Sequence, residues 1–349
     1  CKNCMLCFGL KNKQYCYFNE EIGKEAYEQK QQELSVLTHE KTKELREEFK
    51  QFTQQLPHRE SHIFASEDCS GDMIFNSKGC HSCFDIKNCE DCKYTAFTPH
   101  GVSSFDTAFT APLGTQWCNH VISTIGHRCM GTFMCWHTND TYYSINCRNC
   151  DFIFGCVGLK RKKYCILNKQ YTPEEYEQLV ARIVEHMMNE GGGGAMNPSA
   201  ESASGSWGQF LPIHLSHFAY NETIANEYFP CTKDEVVSKG WQWRDQEREV
   251  PDVQKIIPAS KLPQRITDIP DDILNWAVVC EVTGKPFRIL KQELKFYREM
   301  GLPIPQFHPD ERHMRRLAQK NPYQLWDRKC AKCQKDTQTN FAPERLEKV

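Results

Sequence analysis

The chain contains 349 residues, a length that allows two or three domains with separate hydrophobic cores. Its formal net charge of −2 excludes a general attraction to nucleic acids or membranes, and no run of about 18 apolar residues predicts a transmembrane helix. Many of the 20 cysteines lie in CxxC pairs, which suit tetrahedral metal ligation. We therefore expect reduced cysteines in a cytoplasm, and zinc as the cofactor, with a secreted protein as the alternative.

The pattern Cys-x-Gly-Leu-Lys-x-Lys-x-Tyr-Cys-x-x-Asn occurs twice, at residues 7–19 and 156–168, which are 149 positions apart. The match extends into the following segment, where Tyr27 recurs as Tyr176. Such an internal repeat indicates that one thiol-bearing unit was built twice and ends each time in a helix. We expect residues 1–19 to be the tail of a first unit whose upstream part is missing. Its candidate metal ligands are Cys1, Cys4, Cys7 and Cys16.

Residues 20–62 predict a helical connector between the two copies. Leu45, Phe49 and Phe52 recur at helical spacing, and Pro57 ends the pattern. We interpret this stretch as an amphipathic helix that packs on its own domain, with a coiled-coil helix as the alternative.

Residues 63–190 predict a Cys-rich β unit with a closing helix from about residue 171. Short β-branched or aromatic segments alternate with turn-forming residues roughly every 9–12 positions. This spacing favours a β-solenoid or a compact β-sandwich, in which cysteines form a buried ladder, bind zinc, or form disulfides or an iron–sulfur cluster. The candidate metal ligands are Cys80, Cys83, Cys89, Cys92, Cys147, Cys150, Cys156 and Cys165. The predicted fold class is α+β with several domains.

Residues 191–206 begin with four glycines and predict a flexible linker, the clearest domain boundary in the chain. Residues 207–279 are rich in aromatic residues and irregular in pattern. We expect these aromatic side chains to form a small core, with a groove for bases or a peptide as the alternative.

Residues 280–320 contain, in this order, Cys280, a Glu-x-x-Phe-Tyr segment, Gly301 and His308. This order resembles the small zinc-ribbon domain of bacterial proteins. The resemblance implies ligand positions at Cys280, Thr283, His308 and Glu311, of which Cys280 and His308 are suitable zinc ligands. We expect this degenerate module to persist without metal, with weak zinc binding as the alternative.

Residues 321–349 contain the pair Cys330 and Cys333, which predicts the first knuckle of a truncated second zinc ribbon. A thioredoxin-type redox pair would need a βαβ context that the sequence does not show. A neighbouring basic stretch favours contact with phosphate groups, although such a run is commonly only a solvated face. Its candidate nucleic-acid-binding residues are Arg312, Arg315, Arg316, Lys320, Arg328 and Lys329.

The segments 77–85, 156–171, 207–210, 220–223 and 328–333 also resemble a group of cysteine-rich proteins from Candidate Phyla Radiation bacteria. The resemblance implies a bacterial cytoplasmic protein with degenerate zinc ribbons and no assigned activity. Because no acid/base constellation or phosphate-binding loop is present, we expect a zinc-stabilised, non-enzymatic protein that binds nucleic acid or a protein partner. The alternative is a metal- or iron–sulfur-dependent enzyme that uses the Cys-rich β unit.

Overall fold

A computed structural model describes residues 1–110, 114–189, 206–210, 213, 216–245 and 252–343. Both helices and strands are present, which confirms the α+β class. The chain divides into two compact units: residues 1–58 with 245–320, and residues 59–244 with 321–349. The predicted linker at 191–206 lies outside the described residues except for Ser206. None of the described helices has the length and apolar character needed to cross a bilayer.

The strands are short, and most have two to five residues. In chain order they are β1 (Lys2–Met5), β2 (Gln14–Tyr17), β3 (Glu20–Glu21), β4 (Ile63–Phe64), β5 (Gly71–Phe75), β6 (Cys83–Lys87), β7 (Gly101–Val102), β8 (Phe105–Ala108), β9 (Thr115–Gln116), β10 (Asn119–Ile122), β11 (Ile125–Met130), β12 (Trp136–Tyr142), β13 (Asp151–Phe154), β14 (Lys163–Ile166), β15 (Lys169–Gln170), β16 (Lys255–Pro258), β17 (Trp276–Val279), β18 (Pro286–Phe287), β19 (Trp326–Lys329) and β20 (Asp336–Thr339). The α-helices are α1 (Lys24–Glu33), α2 (His39–Gln54), α3 (Pro173–Asn189), α4 (Ala225–Tyr228), α5 (Lys233–Ser238), α6 (Lys291–Glu299) and α7 (Pro309–Leu317).

The first unit begins with β1 and β2 in parallel, followed by the antiparallel pair β2–β3. The predicted helical connector consists of two helices, α1 and α2, and the Thr38 hydroxyl caps α2 by accepting the N–H of Lys41. The chain between the helices lies against Gly301, where a Cβ atom would be 1.8 Å from the Ser35 carbonyl oxygen. Only glycine fits this close approach, and it also has φ +64°.

The rest of the first unit is a small α+β module with its own core. Strands β16 and β17 are parallel, β17 and β18 are antiparallel, and helices α6 and α7 follow. Ile273, Val278 and Ile304 are fully buried at its centre. This core is built from residues both before and within the 280–320 segment.

The second unit is built around a stack of parallel turns of chain. Residues on successive turns pair with each other and so form rows along the outside of the stack. Each residue of a row pairs with the residue 11–14 positions later, most often 12. Three rows are continuous: Glu67, Lys78, Glu90, Val102, Gln116, His127, Asn139, Asp151, Lys163; His81, Lys93, Phe105, Asn119, Met130, Tyr142, Phe154, Ile166; and Asp72, Phe84, Ala96, Ala108, Ile122, Phe133, Ile145, Val157. The fourth has two stretches: Phe64, Phe75, Lys87, Pro99; and Ile125, Trp136, Arg148, Lys160. We call one turn of this stack a coil.

Corners of each coil are residues in the left-handed conformation, which recur about every third position. In one coil these are Gly79, Ser82, Asp85 and Asn88. Glycine, asparagine and aspartate adopt positive φ at low cost, so turn formers at this spacing favour the coil. The residue after each corner points inward, and the interior is therefore a column of small side chains.

Two further segments pack on the outside of the stack in the second unit. Helix α3 and Trp207 cover an aromatic surface around Phe154, and the Tyr176 ring contacts Tyr164 edge-on. The chain beyond residue 320 is held by Asp72, whose buried carboxylate accepts the Asn340 amide at 2.8 Å.

Candidate metal sites: the thiol interior and two knuckles

The cysteines of the stack occupy inward positions and serve as hydrogen-bond donors inside it. Cys147 Sγ donates to the carbonyl of Cys156 at 3.6 Å, and Cys156 Sγ donates to that of Cys165 at 3.4 Å. Each acceptor is nine residues further along the chain. The Thr95 hydroxyl makes the same bond to the Ser104 carbonyl at 3.3 Å. Thiol and hydroxyl therefore play one structural role. The other cysteines with this bond are Cys83, Cys89, Cys129 and Cys135.

The four predicted ligands near the end of the stack share this interior. Cys147, Cys150, Cys156 and Cys165 are at most 1% exposed and pack together with Ile153. Burial raises the pKa of the thiols of Cys150, Cys156 and Cys165. They are therefore protonated near neutral pH, and a metal would have to displace these protons.

The predicted set near the start of the stack is equally buried. Cys80, Cys83, Cys89 and Cys92 line one region with Ile74 and Ile86. A Cβ atom on Gly101 would lie 3.2 Å from the sulfur of Cys92 and 3.4 Å from that of Cys89, so the glycine leaves room for both. The hydrogen bond with Cys80, and then burial, raises the pKa of Cys83.

In the first unit, Cys4 lies opposite Cys16 in the β1–β2 pairing. Cys16 is fully buried, whereas Cys1 is exposed and Cys4 and Cys7 are half-buried. Cys7 Sγ is 3.1 Å from the Met5 carbonyl and also accepts the N–H of Asn19 at 3.4 Å. These thiols therefore already have polar partners on the backbone.

A knuckle in the second unit presents Cys330 and Cys333 between β19 and β20. The N–H of Cys330 donates to Lys335, and the N–H of Gln334 donates to Cys330. The backbone N–H groups of Cys333 and Lys332 point at the Cys330 sulfur and lower its pKa. A thiolate held in this way is ready for a metal, and both cysteines are accessible to solvent.

A knuckle with the same backbone bonds surrounds Cys280 in the first unit, from Cys280 N–H to Lys285 and from Gly284 N–H to Cys280. Burial raises the pKa of Cys280, but hydrogen bonds from the Thr283 hydroxyl and from backbone N–H groups, including that of His308, outweigh it, and the net shift is downward. The Thr283 hydroxyl thus donates to the Cys280 sulfur. Thr283 occupies the position at which a CxxC pair has its second cysteine.

The other predicted ligand positions of this module have different partners. The Nδ1 atom of His308 accepts the Asp310 N–H at 3.2 Å as the N-cap of α7. Glu311 pairs with Arg315 at 2.6 Å. Cys280, Thr283 and His308 come together in the fold, but Thr283 offers a hydroxyl that donates to the Cys280 sulfur, and Glu311 is paired with Arg315. This donor set does not fit zinc.

No three His, Cys, Asp or Glu side chains within the described ranges are arranged to hold a metal ion. The zinc assignments of the sequence therefore remain predictions. Among them, the Cys330–Cys333 knuckle fits the chemistry best, because its two sulfurs are accessible and its backbone donors favour thiolate.

The predicted nucleic-acid-binding residues are divided between the units. Arg312, Arg315, Arg316 and Lys320 belong to the first unit, and Arg328 and Lys329 to the second. Three of them have acidic partners: Arg312 with Glu293 at 3.2 Å, Arg315 with Glu311 at 2.6 Å, and Lys329 with Asp336 at 3.8 Å. Arg312 is also partly buried beside Tyr297, so its role there is structural.

The closing asparagine of each repeat copy was missed as a functional position. Asn168 accepts the N–H of Val157 at 2.8 Å and donates to its carbonyl at 2.9 Å, and Asn19 binds Phe8 at 2.9 Å in both directions. The equal spacing from the preceding cysteine in both copies is the signal that could have identified it.

No protein-family model, curated protein or solved structure matches this chain.

Proposed function

We propose that this protein is a non-enzymatic binding scaffold: a β-solenoid that presents rows of side chains, with zinc bound at the Cys330–Cys333 knuckle and nucleic acid as its partner. The observation that carries the proposal is the shared hydrogen bond of the interior cysteines and Thr95. Because a hydroxyl substitutes for a thiol there, those thiols support the fold rather than a reaction. Stacked coils then provide an extended surface, as solenoid proteins do.

The knuckle supplies two of the four ligands that structural zinc requires. Its N–H groups lower the pKa of Cys330, which favours the thiolate that binds metal. Two further ligands must complete the shell from outside this pair. The Cys280 knuckle, with the same backbone and Thr283 in place of the second thiol, is its natural control.

Elemental analysis of the full chain, made in a reducing cytoplasm, tests the zinc assignment. We expect bound zinc in the native protein, loss of that zinc in Cys330→Ser with Cys333→Ser, and no change in Cys280→Ser. A free-thiol count under denaturing conditions should rise when a chelator removes the metal. Absence of zinc with all thiols unligated, or loss of zinc only in Cys147→Ser with Cys156→Ser, would refute the assignment to this knuckle.

The competing function is a metal- or cluster-dependent enzyme that uses Cys147, Cys150, Cys156 and Cys165. These four thiols lie close together, which is the observation in its favour. A brown protein with absorption near about 400 nm would support it, because iron–sulfur clusters bind thiolate. A colourless protein with zinc alone supports the scaffold.

Nucleic acid is proposed as the partner because Arg316, in the basic stretch at residues 312–329, is exposed and forms no ion pair with a carboxylate of the described residues. The ion pairs of Arg315 and Lys329 weaken the support from those residues. Binding of a labelled oligonucleotide that falls as salt rises supports the partner class. Binding that does not change with salt would refute a phosphate contact.

A further inference from the structure

A cluster of cations lies on the last two coils of the stack in the second unit. Arg148 and Lys160 are directly opposite each other in parallel pairing, and Arg161 and Lys162 follow in the chain. All four are exposed, and we call them the basic ridge. Residues 141–173 contain six cations and a single acidic residue, Asp151, although the whole chain has a net charge of −2.

The basic ridge has no internal counter-charge. Asp151, the nearest acid in sequence, pairs with Lys163 at 2.9 Å and accepts the Asn139 amide at 2.7 Å. Within the described residues, no carboxylate forms an ion pair with any of the four ridge cations. Like charges on opposite positions of a sheet destabilise it. The arrangement therefore has a cost that an anionic ligand would remove.

The first copy of the repeat provides an internal comparison. Lys11 and Lys13 occupy the positions of Lys160 and Lys162, and Lys13 pairs with Glu21 at 3.2 Å. The position of Glu21 in the second copy is Gln170, so the neutralising carboxylate is absent there. The second copy also has Arg161 where the first has Asn12. The second copy thus has one more cation than the first at these positions, and it lacks the carboxylate that pairs with Lys13.

Geometry at the ridge also suits phosphate. The Arg148 guanidinium lies 4.4 Å from the centre of the Trp136 ring, and the Trp136 Nε1–H donates to the Ser123 carbonyl at 2.9 Å. The stacked guanidinium is therefore held as a planar fork, a geometry that matches phosphate oxygens.

We propose that the basic ridge binds the phosphate backbone of nucleic acid, without reading the bases. This inference rests on the proposed scaffold function and gives its partner a specific face, separate from residues 312–329. Four cations on two coils contact about two to four phosphates, so binding is weak and strongly salt-dependent. Trp136 positions the Arg148 side chain, and the Arg148 guanidinium covers the Trp136 ring.

Fluorescence anisotropy with a labelled single strand of about 20 nucleotides, and with a duplex of equal length, tests the ridge in low salt. In the full chain, Lys160→Glu with Lys162→Glu should weaken binding about tenfold or more and reduce the salt dependence. Lys11→Glu with Lys13→Glu changes the net charge equally in the matching motif and should have a smaller effect. Circular dichroism confirms that all variants are folded.

The outcomes separate the two proposals. Strong binding by the native chain that the ridge variant leaves intact, or equal losses in both variants, overturns the ridge but keeps nucleic acid as partner. Native protein that binds neither oligonucleotide at low salt overturns both. Tighter binding of the ridge to a poly-glutamate peptide than to either oligonucleotide would overturn the ridge proposal in favour of an acidic protein partner. A preference between the single strand and the duplex identifies the source of the phosphates.

Discussion

The two copies of the repeat end with the same hydrogen bonds but pack on different interiors. In both copies the asparagine side chain binds the N–H and the carbonyl of the residue 11 positions earlier, and its own N–H donates to a cysteine sulfur at 3.4 Å. Beneath this closure, Cys4 is opposite Cys16 in the first copy, whereas Ile153 is opposite Cys165 in the second. Closure thus depends on backbone hydrogen bonds, while the filling of the interior is free to differ.

The largest effect should come from the interior position that differs. Ile153 is fully buried, so Ile153→Ala should lower the free energy of unfolding by about 2–5 kcal/mol. Cys4 is half-buried, and Cys4→Ala should cost less than about 1 kcal/mol. Denaturant titrations followed by circular dichroism measure both, with Ile153→Val as a control that should cost about 0.5–1.5 kcal/mol. Equal losses for Ile153→Ala and Cys4→Ala would show that the two interiors are equivalent.

The closing asparagines should show equal effects. Asn168→Ala and Asn19→Ala each remove two hydrogen bonds and place alanine at φ 68° and 67°, so each should cost about 1–3 kcal/mol. Asn168→Gly and Asn19→Gly also lack the side-chain hydrogen bonds, but glycine adopts positive φ without strain. These variants should therefore recover part of the lost stability. The same denaturant titrations report both pairs. A loss in only one copy would contradict a common closing role.

Tyr176 of the second copy should respond differently from Tyr27 of the first. The Tyr176 hydroxyl is buried with no hydrogen-bond partner among the described residues, and burial raises its pKa well above the usual value. Tyr176→Phe should therefore stabilise the protein by up to about 1 kcal/mol, and Tyr27→Phe should change little.

The pH dependence of unfolding in the Tyr176→Phe variant checks whether the buried phenol is the cause of the predicted stabilisation. The folded state keeps this phenol protonated, whereas the unfolded chain releases the proton near pH of about 10, so the native protein loses stability as the pH rises above that value. The stability advantage of Tyr176→Phe should widen between pH of about 9 and 11. A constant advantage would indicate that the hydroxyl has a solvent partner.

The smallest effect on stability should come from exchanging the residue types at positions 21 and 170, which correspond in the two copies. Gln170→Glu gives Lys162 the partner that Glu21 gives Lys13, and Glu21→Gln removes it. Both are exposed pairs, so each change should be within about 1 kcal/mol. Oligonucleotide binding is the sharper readout: Gln170→Glu should weaken it, and Glu21→Gln should not. Unchanged binding in Gln170→Glu would show that Lys162 makes no phosphate contact.

Residue patterns predicted some parts of this fold well and others not at all. The apolar spacing of Leu45, Phe49 and Phe52 indicated a helix, and α2 covers all three residues. The spacing of roughly 9–12 positions favoured a β-solenoid or a sandwich, but it did not give the 12-residue coil length, because bulky side chains such as Phe97 and Trp117 occupy left-handed corners that composition does not mark. Residues 245–320 share a unit with residues 1–58 through contacts distant in sequence, which no local pattern reports.

Charge pairing was only partly readable from the sequence. The Glu311–Arg315 pair follows from helical i, i+4 spacing, so its neutralisation could have been predicted. The juxtaposition of Arg148 and Lys160 depends on the coil register and could not. For the same reason, the sequence identified the cysteines but not the carbonyl groups that they contact.

The rows of the stack also constrain how the length of this chain can change during evolution. Removing or duplicating one 12-residue coil keeps every row in register, so such a change should be tolerated as a whole-unit event. Shorter insertions must be absorbed locally, as in the 14-residue step from Phe105 to Asn119 and the irregular register at Ile125 and Gly126. Homologous stacks should therefore vary in number of coils more readily than in coil length.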